Sequence, residues 1–149
     1  MPTAPQAFTH CGNCASPDIA YDGLKHYACP HCDWTFYHNT ASAVAVFLTA
    51  GDHTLFVRRA RQPGIGLLDL PGGFVDPGES AEHAAAREIQ EELAINIEVS
   101  ASGYLGSLPN VYPYRDVTYH TNDLFYRFPL TGTPVINDPK SLACNSFSI

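Results

Sequence analysis

The sequence predicts an α/β (α+β) protein in which a small cysteine-bearing β module precedes a larger domain. Three observations lead to this prediction: a buried-strand pattern over Ala43–Leu48, one amphipathic helix pattern after Ser80, and two C-x-x-C pairs near the N-terminus. The chain has 149 residues, of which 45% are hydrophobic. This content is sufficient for a core and excludes general disorder.

The charge balance disfavours nonspecific binding to nucleic-acid backbones. Asp and Glu number 15 against 8 Lys and Arg, which gives a formal net charge of −7. We therefore do not expect a nucleic-acid partner, and an acidic chain that binds phosphates needs metal ions as mediators. The longest apolar run, Ala41 to Ala50, is far shorter than the ~20 residues that span a bilayer, and the first five residues lack the charge of a signal peptide. We expect a cytoplasmic protein without a membrane partner.

The cysteine spacing predicts a closed metal site. Cys11, Cys14, Cys29 and Cys32 form two C-x-x-C pairs separated by 14 residues, and a hairpin is predicted between them. Four thiolates complete a tetrahedral structural zinc site, which supplies roughly 10–16 kcal/mol to a segment too short to fold alone. A redox dithiol pair is the alternative, and the spacing favours zinc. We predict a flexible tail over residues 1–9 and a zinc ribbon over 10–38.

The strands of the larger domain are predicted from local patterns. Ala43–Leu48 is expected to be a buried strand, and Leu55–Arg58 follows a turn at Gly51-Asp52 as its hairpin partner. Further strands are predicted at Leu68–Leu70, at Ile97–Leu108 with bulges at Gly103 and Gly106, and at Leu124–Phe128. The Pro-rich segment Ser107–Tyr114 and everything from Thr131 onward are predicted to be loops.

One helix carries the charged residues of interest. Ser80 is the predicted N-cap, and Ala81, Ala85, Ile89 and Leu93 form the predicted buried stripe. Glu88, Glu91 and Glu92 stand at i, i+3 and i+4 on one face, where their oxygens suit Mg²⁺ or Mn²⁺. Arg87 lies four residues before Glu91 and is expected to contact it. A solvated acidic face is the alternative.

The segment from Gly73 to Ile95, GFVDPGESAEHAAAREIQEELAI, resembles the Nudix box, G-x5-E-x7-R-E-U-x-E-E-x-G-U, where U is a bulky aliphatic residue. The matching positions are Gly73, Glu79, Arg87, Glu88, Ile89, Glu91, Glu92 and Ile95. Leu70–Gly73 and Arg58–Pro63 also resemble the family's approach to the box. The resemblance covers about Ala41 to Phe128 and implies a Nudix-type α/β/α sandwich with a mixed sheet over residues 39–149.

Two features depart from the family pattern. Ala94 replaces the family's glycine, and because a left-handed alanine costs on the order of 1–2 kcal/mol, we expect the turn to shift to Asn96. The last twenty residues show no helical periodicity, so the family's C-terminal helix is expected to be missing. A bare sheet face would then be covered by a second subunit in a homodimer.

The resemblance implies a Mg²⁺- or Mn²⁺-dependent hydrolase that cleaves the phosphoanhydride of a nucleoside diphosphate linked to another moiety. Glu88, Glu91, Glu92 and the carbonyl of Gly73 are the implied metal ligands, and Glu79 and Arg87 complete the catalytic set by orienting them. The general base is open among Glu91, Glu92, Glu98, Asp116 and Asp123. Arg59, Tyr112, Tyr114 and Arg115 are candidate substrate-binding residues, with packed surface tyrosines as the alternative.

Three functions remain open. ADP-ribose or a nucleotide sugar is the favoured substrate. NADH or NAD is the alternative, since NADH pyrophosphatases also join a zinc ribbon to a Nudix domain; their S-Q-P-W-P-F-P-x-S motif is matched here only by Ser107, Pro109 and Tyr112-Pro113. In the third, the ribbon is a docking or RNA-binding module on an inactive Nudix scaffold. The presence of every charged box residue argues against an inactive scaffold.

Overall fold

The computed structural model describes residues 8–62, 64–114, 117–137 and 141–148. The chain divides into two compact units, Met1–Thr40 with Val111–His120 and Ala41–Asn110 with Thr121–Ile149. The boundaries predicted from sequence, 1–9, 10–38 and 39–149, stay predictions. Among the described residues, no helix has the length and apolar character needed to cross a membrane.

The first unit contains a small antiparallel sheet of three strands, β1 (Ala20–Tyr21), β2 (His26–Ala28) and β3 (Thr35–Tyr37), in that order. The predicted hairpin is confirmed, and its turn is built on Asp22, whose Oδ1 accepts three successive backbone N–H groups. These hydrogen bonds, led by that from His26, lower the pKa of Asp22. Tyr27, only 1% exposed, stacks on Tyr21 and packs edge-on against Phe8. Aromatic rings therefore supply the small core of this unit.

A seven-stranded mixed sheet and one α-helix form most of the remaining chain. Its elements are β4 (Ala41–Ala50), β5 (His53–Arg59), β6 (Leu68–Asp69), β7 (Gly72–Phe74), α1 (Ala81–Leu93), a 3₁₀ turn (Val99–Ala101), β8 (Gly103–Tyr114), β9 (Val117–Pro129) and β10 (Ser141–Ser148). The main strand order is β10-β5-β4-β9-β8. β4 runs parallel to β9 and antiparallel to β5. The predicted mixed α+β architecture is confirmed.

The two strands of the β4–β5 hairpin separate soon after their turn. They pair only over Leu48–Ala50 and His53–Leu55. Farther from the turn, β5 pairs with β6 while β4 pairs with β7. Residues 68–74 therefore enter between the diverging strands, which brings the start of the predicted box to the centre of the sheet.

Helix α1 packs its apolar side on this sheet. Ser80 is the N-cap, as predicted, and its side chain accepts the N–H of His83. Ala85, Ile89 and Leu93 of the predicted stripe are buried, whereas Ala81 is only partly buried at the margin of the core. The sheet contributes Val44, Val46, Leu48, Leu55, Val57, Tyr126 and Phe128 to the same core. Each large aliphatic side chain buried here contributes about 1.5–3 kcal/mol.

The region after α1 differs from the sequence prediction. The predicted strand Ile97–Leu108 begins instead with the 3₁₀ turn, and β8 starts only at Gly103. β8 then continues through the segment predicted as a loop, to Tyr114. Pro109 and Pro113 are tolerated there because β8 is the edge of the sheet, where a strand can lack some donors. β9 likewise extends well beyond the predicted Leu124–Phe128.

The prediction of loop from Thr131 onward is wrong for residues 141–148. They form β10, which pairs antiparallel with β5 over registers such as Asn145 with Phe56 and Ser148 with His53. The strand was missed because its partner lies far away in sequence and its own residues are largely small and polar. Within the described ranges α1 is the only α-helix.

Candidate functional site

The four cysteines of the first unit come together as predicted. Their Sγ atoms all lie within 4.8 Å of one another, with Cys11 and Cys32 at 3.6 Å and Cys14 and Cys29 at 3.7 Å. A disulfide requires about 2.05 Å, whereas sulfurs bound tetrahedrally at about 2.3 Å from zinc stand about 3.8 Å apart. The cluster therefore has the geometry of a tetrahedral thiolate site.

The two C-x-x-C turns are built alike. In each, the N–H of the first cysteine, Cys11 or Cys29, donates to the carbonyl five residues later, at 2.8 and 2.9 Å. In each, the residue after the second cysteine, Ala15 or Asp33, is left-handed, with φ of 58° and 56°. Because the two turns have the same geometry, they bring both pairs of Sγ atoms together at one point. Sequence spacing indicated the turns, but their left-handed residues are not glycines and gave no signal.

Two consecutive glycines allow β7 to approach both the sheet and the helix. A Cβ on Gly72, which has φ of 153°, would stand 2.0 Å from the carbonyl oxygen of Val44. A Cβ on Gly73 would stand 2.4 Å from Oε1 of Glu88. The first contact is with backbone and excludes a side chain at Gly72, whereas a side chain at Gly73 would displace the Glu88 carboxylate. The Gly-Gly pair therefore lets the strand lie directly beneath the Glu88 carboxylate.

Arg87 joins the loop before the helix to the helix itself. Its Nε and Nη2 donate to the two carboxylate oxygens of Glu79, at 3.1 and 3.0 Å, and Nη2 also donates to the Phe74 carbonyl at 2.9 Å. Its Nη1 donates to Glu88 at 2.8 Å and to Glu91 at 3.4 Å. The predicted contact between Arg87 and Glu91 is present. The guanidinium thus fixes two glutamates of the helix relative to the loop.

The charges in this network stabilise one another. Hydrogen bonding from Arg87 lowers the pKa of Glu79, with a further contribution from the backbone N–H of Asp76. In return, the hydrogen bonds to Glu79 and then Glu88 raise the pKa of Arg87. The ion pair between Arg87 and Glu79 therefore persists throughout the neutral range.

The three helix glutamates differ in exposure. Glu88 and Glu92 are each 5% exposed, whereas the Glu91 side chain is 49% exposed. Oε2 of Glu88 is buried and accepts no hydrogen bond from any residue that the structure describes. Within the described part of the chain, the four cysteines are the only group of three or more His, Cys, Asp and Glu residues with ligand atoms this close together.

The environment of these carboxylates fits a divalent cation. A buried carboxylate oxygen without a donor is costly, and a hard cation satisfies it. Glu91 and Glu92 stand in the last turn of α1, which carries no basic residue. The helix dipole is negative there, so the two carboxylates face an unfavourable field that a cation relieves. Glu88, Glu91, Glu92 and the Gly73 carbonyl therefore remain the predicted ligand set.

The helix ends at its predicted residue, but not in the predicted way. Ala94 itself is left-handed, with φ of 55° and ψ of 30°, and its N–H donates to Gln90 at 3.1 Å. The expected shift of the turn to Asn96 is wrong. Ala94 is exposed, so its Cβ meets no packing obstacle and the cost is confined to backbone strain.

The last three carbonyl groups of the helix accept hydrogen bonds from a segment that is distant in sequence. The backbone N–H of Asn137 donates to Glu92 O at 2.9 Å, and that of Val135 donates to Leu93 O at 2.9 Å. The Asn137 side-chain amide donates to Glu91 O at 3.2 Å. Sequence analysis missed this arrangement, because a cap supplied by residues more than forty positions away has no local pattern.

Of the four candidate substrate-binding residues, the structure describes the side chains of Arg59 and Tyr112. Arg59 donates to Asp69 at 2.5 Å on the neighbouring strand β6. Tyr112 lies in β8, partly buried. The Tyr114 side chain and Arg115 lie outside the described residues.

The candidate bases also differ. Both oxygens of Asp123 accept hydrogen bonds at 2.7 Å, one from Asn110 and one from Thr121. Glu98 is exposed and precedes the 3₁₀ turn. Asp116 lies outside the described residues. Asp123 is thus already engaged by two donors.

Tyr126 makes a further contact with α1, which the sequence did not indicate. It is 3% exposed, and its hydroxyl donates at 2.8 Å to Glu82 in the first helical turn. Burial, together with the neighbouring Glu82 carboxylate, raises the pKa of Tyr126 to about 12. The pKa of Glu82 is lowered, mainly by its own backbone N–H and then by the tyrosine hydroxyl. This bond fixes the N-terminal end of the helix to β9.

The chain is similar to known proteins over most of its length. The NUDIX domain family model matches residues 39–147. A protein named NAD-capped RNA hydrolase NudC, from Stutzerimonas stutzeri, is 38% identical over 133 residues, which are 89% of this chain and 45% of that protein. The chain thus spans about half the length of the curated relatives it matches.

Two solved structures are also similar. A MutT NUDIX hydrolase from Burkholderia pseudomallei superposes with a TM-score of 0.65 and 27% identity, over 74% of this chain and 84% of that one. The NUDIX domain of Shewanella oneidensis NrtR, solved with ADP ribose, has a TM-score of 0.60 and 20% identity over 75% of each chain. The latter likeness concerns the fold alone.

Proposed function

Because the chain belongs to the NUDIX domain family, we propose that it is a Mg²⁺- or Mn²⁺-dependent hydrolase that cleaves the phosphoanhydride of a nucleoside diphosphate linked to another moiety. The observation that carries this proposal is the buried Glu88 carboxylate. One of its oxygens is held by Arg87 and the other has no donor among the described residues, and a Cβ on the neighbouring Gly73 would displace the carboxylate. A carboxylate held in this way is prepared to bind a cation.

Each residue of the network then has a role. Glu88, Glu91, Glu92 and the Gly73 carbonyl would hold the cation, which would neutralise phosphate charge and lower the pKa of a water molecule. Arg87 orients Glu88 and Glu91, and Glu79 orients Arg87. Water forms a new P–O bond while the bond from phosphorus to the bridging oxygen breaks. The acceptor of the water proton stays open among the carboxylates of Glu91, Glu92, Glu98, Asp116 and Asp123, of which Asp123 already accepts two hydrogen bonds.

The proposed substrate contains an ADP group joined to a ribose-bearing moiety. The relative at 38% identity is named for NAD-capped RNA, which carries an NAD group. NAD and ADP-ribose share this ADP-ribosyl portion, so both the favoured and the alternative substrate classes fit. RNA remains a substrate to be tested, although the net charge of −7 supports a small-molecule partner more than an extended RNA surface.

We further propose that the cysteine cluster holds a structural Zn²⁺. The sulfur spacing supports four thiolate ligands, and a site with four protein ligands has no open position for catalysis. The homodimer expected from sequence also stays a proposal. Size-exclusion chromatography with light scattering tests it, and a strictly monomeric protein would contradict it.

The proposed function is tested by turnover of a substrate panel. Zinc-loaded protein is incubated with Mg²⁺ or Mn²⁺ and with ADP-ribose, NADH, NAD-capped RNA, diadenosine polyphosphates, nucleotide sugars or nucleoside triphosphates, and the products are measured. We expect Glu92→Gln to lose at least roughly a hundredfold in rate. Glu82→Gln makes the same substitution on the same helix, outside the proposed ligand set, and should retain most of the activity.

Two results would refute the assignment. Near-normal turnover by Glu92→Gln at saturating metal and substrate would remove that glutamate from the mechanism. No turnover of any panel member by folded, zinc-loaded protein would favour the alternative function, in which the ribbon docks a partner or RNA on an inactive scaffold.

A further inference from the structure

The segment 131–137, which we call the C-terminal strap, holds the end of α1 that carries two of the proposed metal ligands. We infer that Asn137 in this strap is a positioning residue for Glu91 and Glu92. The inference rests on the proposed function, because it concerns the same glutamates. It adds a residue outside the box, supplied by a distant part of the chain.

A full count of the carbonyl groups at the helix end supports this role. An α-helix leaves its last four carbonyls without intrahelical donors. Here the first, of Gln90, accepts from the left-handed Ala94. The other three belong to Glu91, Glu92 and Leu93, and all of them accept from the strap. Asn137 alone supplies two of these three donors, one from its backbone and one from its side chain.

The two peptide units that Asn137 binds are those of the proposed ligands themselves. Helix ends fray readily, and here two carboxylates in the last turn add to the negative pole of the helix dipole. The strap counteracts both effects, since its donors hold the carbonyls in helical positions and offset their partial charge. The backbone from which Glu91 and Glu92 project is therefore fixed before a cation binds.

The strap is itself anchored. Ile136 packs against the hydrophobic core beside Asn137. The Thr131 hydroxyl donates to the carbonyl of Asn96, beyond the helix, at 3.5 Å. Thr131 therefore offers a matched control, because its substitution removes a strap hydrogen bond that touches neither ligand residue.

The experiment measures Mn²⁺ binding directly, by electron paramagnetic resonance of free Mn²⁺ in titrations of zinc-loaded protein, together with the Mn²⁺ concentration for half-maximal turnover. Loss of binding in Glu92→Gln defines the helix site. We expect Asn137→Ala to weaken Mn²⁺ binding about tenfold, the lower range for residues that support metal ligands. Thr131→Val should bind Mn²⁺ as the wild type does. Asn137→Gln keeps an amide donor and should recover most of the affinity.

The outcomes separate the inference from the function on which it rests. Equal Mn²⁺ affinities in Asn137→Ala and Thr131→Val, with wild-type binding intact, overturn the positioning role alone. If the wild type shows no glutamate-dependent Mn²⁺ binding, the proposed function fails and the inference falls with it. Should Asn137→Ala not fold, Asn137→Leu removes the amide donor at nearly constant size and without adding a charge. The same weakening is expected there, and unchanged affinity again overturns the role.

Discussion

Replacement of Ala94 by glycine is expected to stabilise the protein. Ala94 holds φ of 55°, a conformation that costs an L-residue with a Cβ about 1–2 kcal/mol. Glycine avoids this cost but loses about 0.5–1 kcal/mol more conformational entropy on folding. Because Ala94 is exposed, no packing is lost. The net gain in the free energy of unfolding is therefore about 0.5–1 kcal/mol, or about 1–4 °C in Tm for a chain of this size.

The measurement is urea denaturation of zinc-loaded protein followed by far-UV circular dichroism. Tryptophan fluorescence is unsuitable, because the single tryptophan, Trp34, lies in the cysteine-bearing unit and would report on that unit. Ala86→Gly in the interior of the same helix is the control. It should destabilise the protein by about 1 kcal/mol, since glycine there has only the entropic disadvantage.

Opposite signs at the two positions would establish that the strain lies at Ala94. The reasoning is refuted if Ala94→Gly has the same midpoint as the wild type or a lower one at an unchanged m-value. If Ala94→Gly is less stable than the wild type, residue 94 does not hold a left-handed conformation in solution. The helix would then end at another residue, such as Asn96.

Three further predictions concern the site and its supports. Gly73→Ala should reduce turnover about a hundredfold or more, because its Cβ displaces the Glu88 carboxylate; wild-type kcat would show that this packing is dispensable. Arg87→Lys should lower the free energy of unfolding by about 1–3 kcal/mol in chemical denaturation, since one ammonium cannot replace the forked contacts to three glutamates; an unchanged midpoint would contradict this. Tyr126 has a raised pKa in the folded state, so its contribution to stability is complete below about pH 10 and lost as pH rises toward about 12. Tyr126→Phe should therefore flatten the alkaline decline of Tm, and an equally steep decline would refute the assignment.

The parts of the fold that sequence analysis predicted are those whose signals are local. The Ser80 cap and the apolar spacing through Leu93 fixed both ends of α1. The turn at Gly51-Asp52 indicated the β4–β5 hairpin, and the two C-x-x-C pairs indicated the thiol cluster. In each case the interacting residues are close in sequence or share a short repeated pattern.

The parts that it did not predict depend on distant partners. β10 is a strand only because β5 presents an edge to it. Pro109 and Pro113 indicated a loop, although an edge strand accommodates them. The strap follows the same rule, since Asn137 has no pattern of its own until the end of α1 is placed beside it.

In the candidate site too, contacts between residues close in sequence were predictable, whereas contacts that depend on the fold were not. Spacing alone predicted that Arg87 would contact Glu91 four residues later, and the contact is present. The bidentate pairing of Arg87 with Glu79 and its bond to the Phe74 carbonyl depend on the path of the loop between β7 and the helix. Helical spacing and the resemblance to the Nudix box therefore identified the charged residues, whereas only tertiary structure showed how one guanidinium connects them.

The pairing of β5 with β10 also determines how this sheet must assemble. The two strands are separated by about ninety residues, and the parallel partners β4 and β9 are separated by about eighty. Bringing either pair together closes a long loop, and the conformational entropy is lost before the contacts between the strands form. During synthesis the β4–β5 hairpin emerges early and keeps one open edge until residues 141–148 follow. The folding rate should consequently be limited by closure of the sheet rather than by formation of the helix. Until β10 pairs with it, the edge of β5 offers unpaired backbone groups to other chains.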